Sequence, residues 1–178
     1  RRAEFLYDAG SRRIKTADLS SWNGTAYATT NTTRFTWDSW LLLSETQVSG
    51  FISQVFHNVW GLDLSQTLQG AGGIGGLLAR SESGTNYLFT ADGNGNVAHV
   101  LNGQGAVVAA YEYDPFGRTI SATGPYAAAN RWQFSTKQLD PFWGLYYYGY
   151  RYYSPNLHIG SPAIRSGKTE RDRYEWRD

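Results

Sequence analysis

The residues with the most obvious potential for chemistry form a glycine-rich run at 70–75, which matches the Gly-x-Gly-x-x-Gly pattern of dinucleotide-binding proteins. In such sites the glycines allow the backbone to approach a pyrophosphate, between a buried strand and the helix that follows. Here the polar LSQTLQ precedes the run, and Leu77-Leu78-Ala79 is soon followed by Ser-Glu-Ser-Gly, which leaves no room for a useful helix. We therefore interpret the run as a bend where backbone segments pass closely.

A second candidate is the Asp92-Gly-Asn-Gly-Asn96 segment, whose alternating Asp and Asn resemble a calcium-binding loop. The EF-hand pattern requires Gly where Val97 stands and an acidic residue where Gly103 stands. Because both are missing, the segment predicts a plain β-turn and no metal site.

The remaining reactive side chains are isolated in the sequence. His57, His99 and His158 lie outside any serine-nucleophile or metal-ligand pattern, and the chain has no Cys. We therefore predict no catalytic, cofactor-binding or metal-binding residue, no cofactor, and a protein that is not an enzyme.

Composition limits the classes of partner. The 178 residues are 41% hydrophobic and 17% charged with a formal net charge of +1, which indicates one ordinary domain and gives no electrostatic case for nucleic acid. No apolar run approaches the roughly 18 residues of a membrane span, and the N-terminus does not resemble a signal peptide. Since the first residue is not Met, we expect the chain to begin inside a longer product.

The elements that would position any site are strands joined by turns, so the predicted class is all-β, built from stacked antiparallel hairpins. The clearest unit is YEYDPFGRTI at 111–120. The predicted structural turn consists of Tyr113, Asp114, Pro115, Gly117 and Arg118. In it the Asp accepts backbone amides two residues on, Pro fixes φ, Gly takes a positive φ and Arg reaches back to the Asp.

The densest aromatic segment is DPFWGLYYYGYRYYSP at 140–155. Tyr suits a pleated surface on which the ring is buried and the hydroxyl finds a partner. We predict that 146–153 forms one sealing aromatic strand, and that a short strand at 131–137 leads into the aromatic run. The rings assigned to it and its approach are Trp143, Tyr146, Tyr147, Tyr148, Tyr150, Tyr152 and Tyr153.

The spaced aromatic-Asp-turn-Gly-Arg units resemble the tyrosine-aspartate (YD) repeats of RHS proteins. YEYDPFGRTI, ANRWQFSTKQLD and GLYYYGYRYYSP, in that order, resemble the RHS repeat-associated core, at about 86–157. The resemblance covers about 1–157, with departures at Gly10-Ser11 and at Trp37, which replaces Tyr. It implies a hairpin strip wound into a hollow shell around a C-terminal polymorphic toxin, secreted or at the cell surface, with the rest of the shell as partner.

Some members of this family cleave themselves with paired Asp residues in an Asp-Pro-x-Gly setting. Asp114-Pro-Phe-Gly117 fits that setting but lies at the repeat turn, and Asp140-Pro-Phe-Trp-Gly144 has one residue too many. A dyad also needs two carboxylates close enough to share a proton. Three hypotheses therefore stay open: a non-catalytic scaffold, a cell-surface module that binds carbohydrate or protein through the aromatic strand, and a self-cleaving aspartyl segment.

We predict that the last segment, 158–178, is a charged, irregular or disordered tail, because 161–178 has five Lys/Arg and four Asp/Glu without apolar periodicity. The family pattern instead continues into Arg-Asp-Pro-Ile. Codons that encode Gly160 to Lys168 can also encode Val-Ala-Arg-Asp-Pro-Ile-Gly-Glu in another frame. We favour a frameshift over a true variable C-terminus.

The length of the chain limits what it can enclose. About 14 strands at ~4.8 Å spacing give a strip ~67 Å wide, which would close at a radius of only ~11 Å. A 100-residue toxin has a radius of gyration of ~13 Å. We therefore predict the last section of a larger shell, with an exposed N-terminal sheet edge.

Overall fold

The computed structural model describes residues 2–22, 24–140, 143–157 and 159–162. These residues form 14 strands and one short 3-10 turn, with no other helix among them. The strands are β1 (Arg2–Tyr7), β2 (Arg13–Trp22), β3 (Tyr27–Asp38), β4 (Leu41–Ser49), β5 (Ile52–Trp60), β6 (Leu77–Glu82), β7 (Thr85–Ala91), β8 (Val97–Leu101), β9 (Val107–Tyr113), β10 (Thr119–Thr123), β11 (Gln138–Asp140), β12 (Leu145–Tyr147), β13 (Arg151–Ser154) and β14 (Ile159–Pro162).

The first ten strands form one antiparallel sheet in which every strand pairs with its neighbours in sequence. The predicted all-β class of stacked antiparallel hairpins is therefore confirmed. Strands β1 and β10 lie at the two edges of this sheet. Most of these neighbours are joined by short turns, whose local chemistry directs the pairing. The exception is the connection between β5 and β6, residues 61–76, which contains the glycine-rich run.

Three hairpins share one five-residue turn, which begins at Asp92, Asn102 or Asp114. In each, one side-chain oxygen of the first residue accepts the backbone N–H groups of the residues two and four positions on, at 2.8–3.0 Å. The turn at Asp8 makes the same bond to the N–H of Arg12, at 2.9 Å. The side chain thus satisfies backbone donors that the tight turn cannot pair otherwise.

The fourth residue of each turn has a positive φ. These residues are Ser11 (62°), Gly95 (77°), Gly105 (79°) and Gly117 (84°). The first turn is therefore Asp8-Ala-Gly-Ser-Arg12, which explains the departure from Gly-Arg spacing: Ser takes the left-handed position and Arg still follows it.

The last four strands form a second sheet, in the order β11 to β14. The prediction of one aromatic strand over 146–153 is wrong, because the segment is a hairpin of β12 and β13. Gly149 turns the chain at φ 82°. Tyr146 then pairs with Tyr153, and Tyr147 with Tyr152. The hairpin brings the four tyrosines together as cross-strand pairs.

Two further expectations concern the neighbours of this hairpin. The strand predicted over 131–137 is wrong: one bridge joins Trp132 and Gln138 around a 3-10 turn at Phe134–Thr136. Ser135 has φ 51° inside that turn, which strand geometry does not allow. The predicted tail begins at 158, but 159–162 forms β14 against β13. The rest of the tail, 163–178, lies outside the described residues, as do Pro141, Phe142 and His158.

The core lies on one face of the ten-stranded sheet, beneath the segment that follows β10. Its buried members come from β3, from β4, from β6 to β9 and from 126–132. They are Phe35, Leu42, Leu77, Phe89, Val97, Val100, Ala109, Tyr111, Tyr126, Ala127 and Trp132. The described residues contain no helix of sufficient length and apolarity to cross a membrane.

Candidate functional site: the junction between the two sheets

The junction between the sheets is centred on Arg13, whose side chain is 2% exposed. Its guanidinium carbon lies 4.6 Å from the ring centroid of Phe35 and 4.4 Å from that of Tyr147. Its backbone N–H donates to the Tyr147 hydroxyl at 2.9 Å, and Nη1 donates to the Tyr152 hydroxyl at 3.1 Å. A planar cation that stacks and donates at once suits this pocket better than a lysine would. Arg13 therefore fastens β2 to the β12–β13 hairpin.

A buried ion pair provides the second connection between the two sheets. Glu45 is fully buried, and its Oε1 accepts from Arg80 Nη1 and from Gln138 Nε2, both at 2.7 Å. Arg80 also donates to Asn58 Oδ1 at 2.9 Å. Arg131 lies 4.0 Å from the second carboxylate oxygen. A buried carboxylate is tolerated only with such partners, so the pair ties β11 to β4 and β6.

Two β-bulges explain why Glu45 and Arg80 face the core. Trp37 pairs with Leu42 and Thr36 with Ser44, so Leu43 is the extra residue in β4. Leu78 is likewise skipped in β6, between the pairs made by residues 77 and 79. Each bulge shifts the inside-outside alternation by one residue. Leu43 and Leu78 are consequently exposed, and Glu45 and Arg80, two positions further along, turn their polar side chains inward.

The glycine-rich run is organised by Asp63, which is 2% exposed. One carboxylate oxygen accepts the N–H and hydroxyl of Ser65, at 2.9 and 2.6 Å. The other accepts the N–H groups of Ala71 and Gly73, at 2.7 and 3.0 Å. The amides that would hold a phosphate in a nucleotide site hold the protein's own carboxylate. This arrangement accounts for the motif without a ligand.

These hydrogen bonds dominate the protonation of Asp63. Burial alone would raise its pKa, but the bonds from Ser65, Gly73 and Ala71 outweigh burial and lower the pKa to about 2. The carboxylate is therefore ionised at neutral pH.

Thr136 connects the glycine-rich run to the 92–96 turn. Its hydroxyl donates to the Gly95 carbonyl at 2.6 Å and accepts the Gly75 N–H at 2.9 Å. A side chain on Gly95 would contact Ile74 at 2.5 Å, so the two loops approach as closely as glycine permits. The bend interpretation of the run agrees with this close passage.

The predicted turn residues lie beside the second sheet. Tyr113 donates its hydroxyl to the Val97 carbonyl at 3.0 Å. Arg118 Nε lies 3.1 Å from Asp114 Oδ2, although its side chain is 64% exposed. Gly117 is the tightest position, since an added Cβ would lie 2.4 Å from the Phe134 ring. Pro115 is exposed at the tip of the turn.

The predicted aromatic residues divide by environment. Tyr146 and Tyr147 are 1% and 5% exposed, and burial raises the pKa of each to about 12. Tyr153 donates to the Phe116 carbonyl at 2.7 Å, which joins the second sheet to the predicted turn. Tyr148 is half-buried, whereas Tyr150 is 59% exposed. The hairpin therefore uses most of its rings for contacts within the chain.

The remaining predicted residues have simpler settings. Trp143 is half-buried, and its N–H donates to Asp140 Oδ1 at 3.2 Å. His57 and His99 lie exposed on strands. Among the described residues, no group of three or more His, Asp or Glu side chains is placed to hold a metal ion.

The sequence analysis did not identify the polar residues that hold together the junction and the glycine-rich run. They are Arg13, Glu45, Asp63, Arg80 and Gln138. Asp63 had one usable signal, because an acidic residue followed by Ser65 and by glycines can accept several local amides. The other four gave none, since bulges or distant contacts decide which way they point.

Comparison with protein-family models finds no match. Among curated proteins, the tRNA3(Ser)-specific nuclease WapA of Bacillus spizizenii is 33% identical over 85 residues, which is 47% of this chain and 4% of that protein.

Solved structures match far more of the chain. The complex TcdB2-TccC3 without its hypervariable C-terminal region has a TM-score of 0.63 at 20% identity, over 89% of this chain and 7% of that one. TcdB2-TccC3 itself has a TM-score of 0.62 at 18% identity, over 89% of this chain and 8% of that one. A Photorhabdus luminescens Tc holotoxin pore with a mutated TccC3 has a TM-score of 0.62 at 20% identity, over 91% of this chain and 8% of that one. The chain thus spans less than a tenth of each protein, and it shares the fold of part of these toxin complexes.

Proposed function

We propose that the chain is the C-terminal core section of an RHS (YD-repeat) shell, a non-catalytic scaffold of a protein that encloses and delivers a C-terminal polymorphic toxin. The observation that carries the proposal is the ten-stranded sheet in sequence order, to which the Tyr-rich sheet is joined through Arg13 and Glu45. The fold likeness to the TcdB2-TccC3 complexes over 89% of the chain supports it. Secretion or display at the cell surface follows from the same role.

The internal use of polar groups also supports a scaffold. Arg13 and Glu45 are buried, and both join the second sheet to the first. Asp114 and Asp140 accept backbone amides from their own turns. In this role the β12–β13 hairpin closes the end of the shell, and the rest of the shell is the partner.

The edge strand β1 supplies the first test. In a continuous shell its outer edge pairs with the strand that precedes it in the parent protein. The 178-residue chain should therefore self-associate, and adding two upstream hairpins from the parent gene should reduce this. Analytical ultracentrifugation of both forms measures the change, with an added flexible Gly/Ser segment of equal length as control. Equal association in all three forms would contradict the proposal.

Enclosure needs a separate test on the whole parent protein. Limited trypsin digestion should leave the region that follows the core protected, and mild denaturation should expose it. The mass of the purified protein tests self-cleavage in the same sample. A shortened product that Asp114→Asn or Asp140→Asn abolishes would overturn the non-catalytic assignment.

A further inference from the structure

A cleft lies between the two sheets, with a cavity volume of about 90 Å³. Its walls include Trp37 and Trp60 from the first sheet, and Trp132, Tyr147 and Tyr148 from the segment that covers it. Trp60 and Trp132 meet edge to face at 5.4 Å, so the walls are rigid aromatic surfaces. The cleft is too small for a hexose, since pockets for such ligands are several hundred Å³. It suits a group of a few non-hydrogen atoms.

One cation lies on the wall of this cleft. Lys137 Nζ donates to the Gly72 carbonyl at 2.6 Å and lies 5.7 Å from the Tyr148 ring centroid, and both of these residues line the cavity. Burial lowers the pKa of Lys137 to about 8, an effect that the charge of Asp63 partly opposes. Most of the amine is therefore still protonated at neutral pH.

The cation has no direct counter-ion among the described carboxylates. No ion pair within 4.0 Å joins Lys137 to any carboxylate of the described part of the chain. The charge of Asp63 raises the pKa of Lys137, but the two oxygens of Asp63 already accept four hydrogen bonds from neutral donors. Lys137 is half-buried, so its charge is incompletely solvated, and a bound anion would offset that cost.

We propose that the cleft binds a compact carboxylate, with the Lys137 ammonium as its donor and the aromatic rings around its apolar part. The carboxylate comes either from a free short-chain acid or from an Asp or Glu side chain of a neighbouring polypeptide. The binding site does not depend on the shell role and holds for the chain in any assembly.

The direct test is titration of the 178-residue chain with sodium acetate and propionate, followed by tryptophan fluorescence. Acetamide, a neutral molecule of the same shape, should give no response. Lys137→Met removes the charge with little change in length and should weaken acetate binding about 10- to 100-fold, the effect of losing one charge-assisted hydrogen bond. Lys15→Met is the matched control and should leave binding unchanged.

A measurement on the unaltered chain guards against variants that fail to fold. Acylation of Lys137 by an amine-reactive reagent, read by mass spectrometry, should slow in acetate but not in acetamide, and Lys15 should react equally in both. Blocked aspartate and glutamate (N-acetyl amides) distinguish the sources: binding by them assigns a polypeptide carboxylate, and binding by acetate alone assigns a free acid. Equal responses to acetate and acetamide, or acetate binding unchanged by Lys137→Met, would overturn the proposal.

Discussion

Replacing Asp63 with Asn tests whether one buried carboxylate organises the glycine-rich run. The substitution keeps the shape of the side chain but replaces one acceptor oxygen with an NH₂ group. Because each carboxylate oxygen accepts two donors, either orientation of the amide leaves two donors facing another donor. Hydrogen bonds to a charged group contribute about 1.5–3 kcal/mol each, so the expected loss of unfolding free energy is about 3–6 kcal/mol.

Urea unfolding followed by tryptophan fluorescence measures this loss. With a slope of about 2 kcal/mol/M, the midpoint should fall by about 1.5–3 M. Asp92→Asn is the matched control: Asp92 is exposed, and the equivalent turn at Asn102 already works with a neutral amide. The control should lose no more than about 1 kcal/mol. A loss below about 1 kcal/mol for Asp63→Asn would refute the reasoning.

The same variant should change the acid limb of the stability curve. The pKa of Asp63 is lowered to about 2 in the folded chain, against a usual value near 4. Its contribution is therefore complete above about pH 4 and is lost as the pH falls toward 2. Asp63→Asn should lack this component, so the stability difference between the two proteins should narrow between pH 4 and 2. A constant difference over that range would show that the carboxylate charge is irrelevant.

Three further predictions concern the turns and the junction. Gly117→Ala should lose about 2 kcal/mol more unfolding free energy than Gly105→Ala, because both positions have positive φ but only Gly117 abuts a ring; equal losses would contradict the Phe134 contact. Arg13→Lys should lose about 2–4 kcal/mol in thermal or urea unfolding, since Lys lacks the stacking plane and the second donor; a loss under about 0.5 kcal/mol would contradict the role of the guanidinium. Asp114→Asn should stay within about 1 kcal/mol of the original protein, because its ion-pair partner Arg118 is 64% exposed; a larger loss would mean that the carboxylate charge supports the turn.

The hairpin architecture was predictable because its determinants are local. A turn such as 92–96 needs only an Asx side chain that accepts nearby amides and a residue that tolerates positive φ. Both requirements can be read directly from residue types and spacing. The same local reading assigned the glycine-rich run to a bend, without a helix.

The aromatic run shows where local sequence patterns do not predict the structure. Residues 146–153 have strand-forming composition throughout, and Gly149 alone marks the reversal into a hairpin. The composition of 131–137 favours a strand, yet the segment contains a 3-10 turn. In that turn, Thr136 forms hydrogen bonds with the loops at Gly75 and Gly95. Tertiary contacts outweigh propensity at both places.

The sequence by itself determined the all-β class, the hairpin order and the turns, since these depend on contacts between residues a few positions apart. The tertiary structure alone decided how the second sheet closes on the first. That closure depends on Arg13 meeting Tyr147 and on Glu45 meeting Gln138, pairs separated by 134 and 93 residues. Bulges at Leu43 and Leu78 set which face such side chains occupy. A one-residue shift reverses the side-chain alternation, so residue type and spacing could not place these groups in the core.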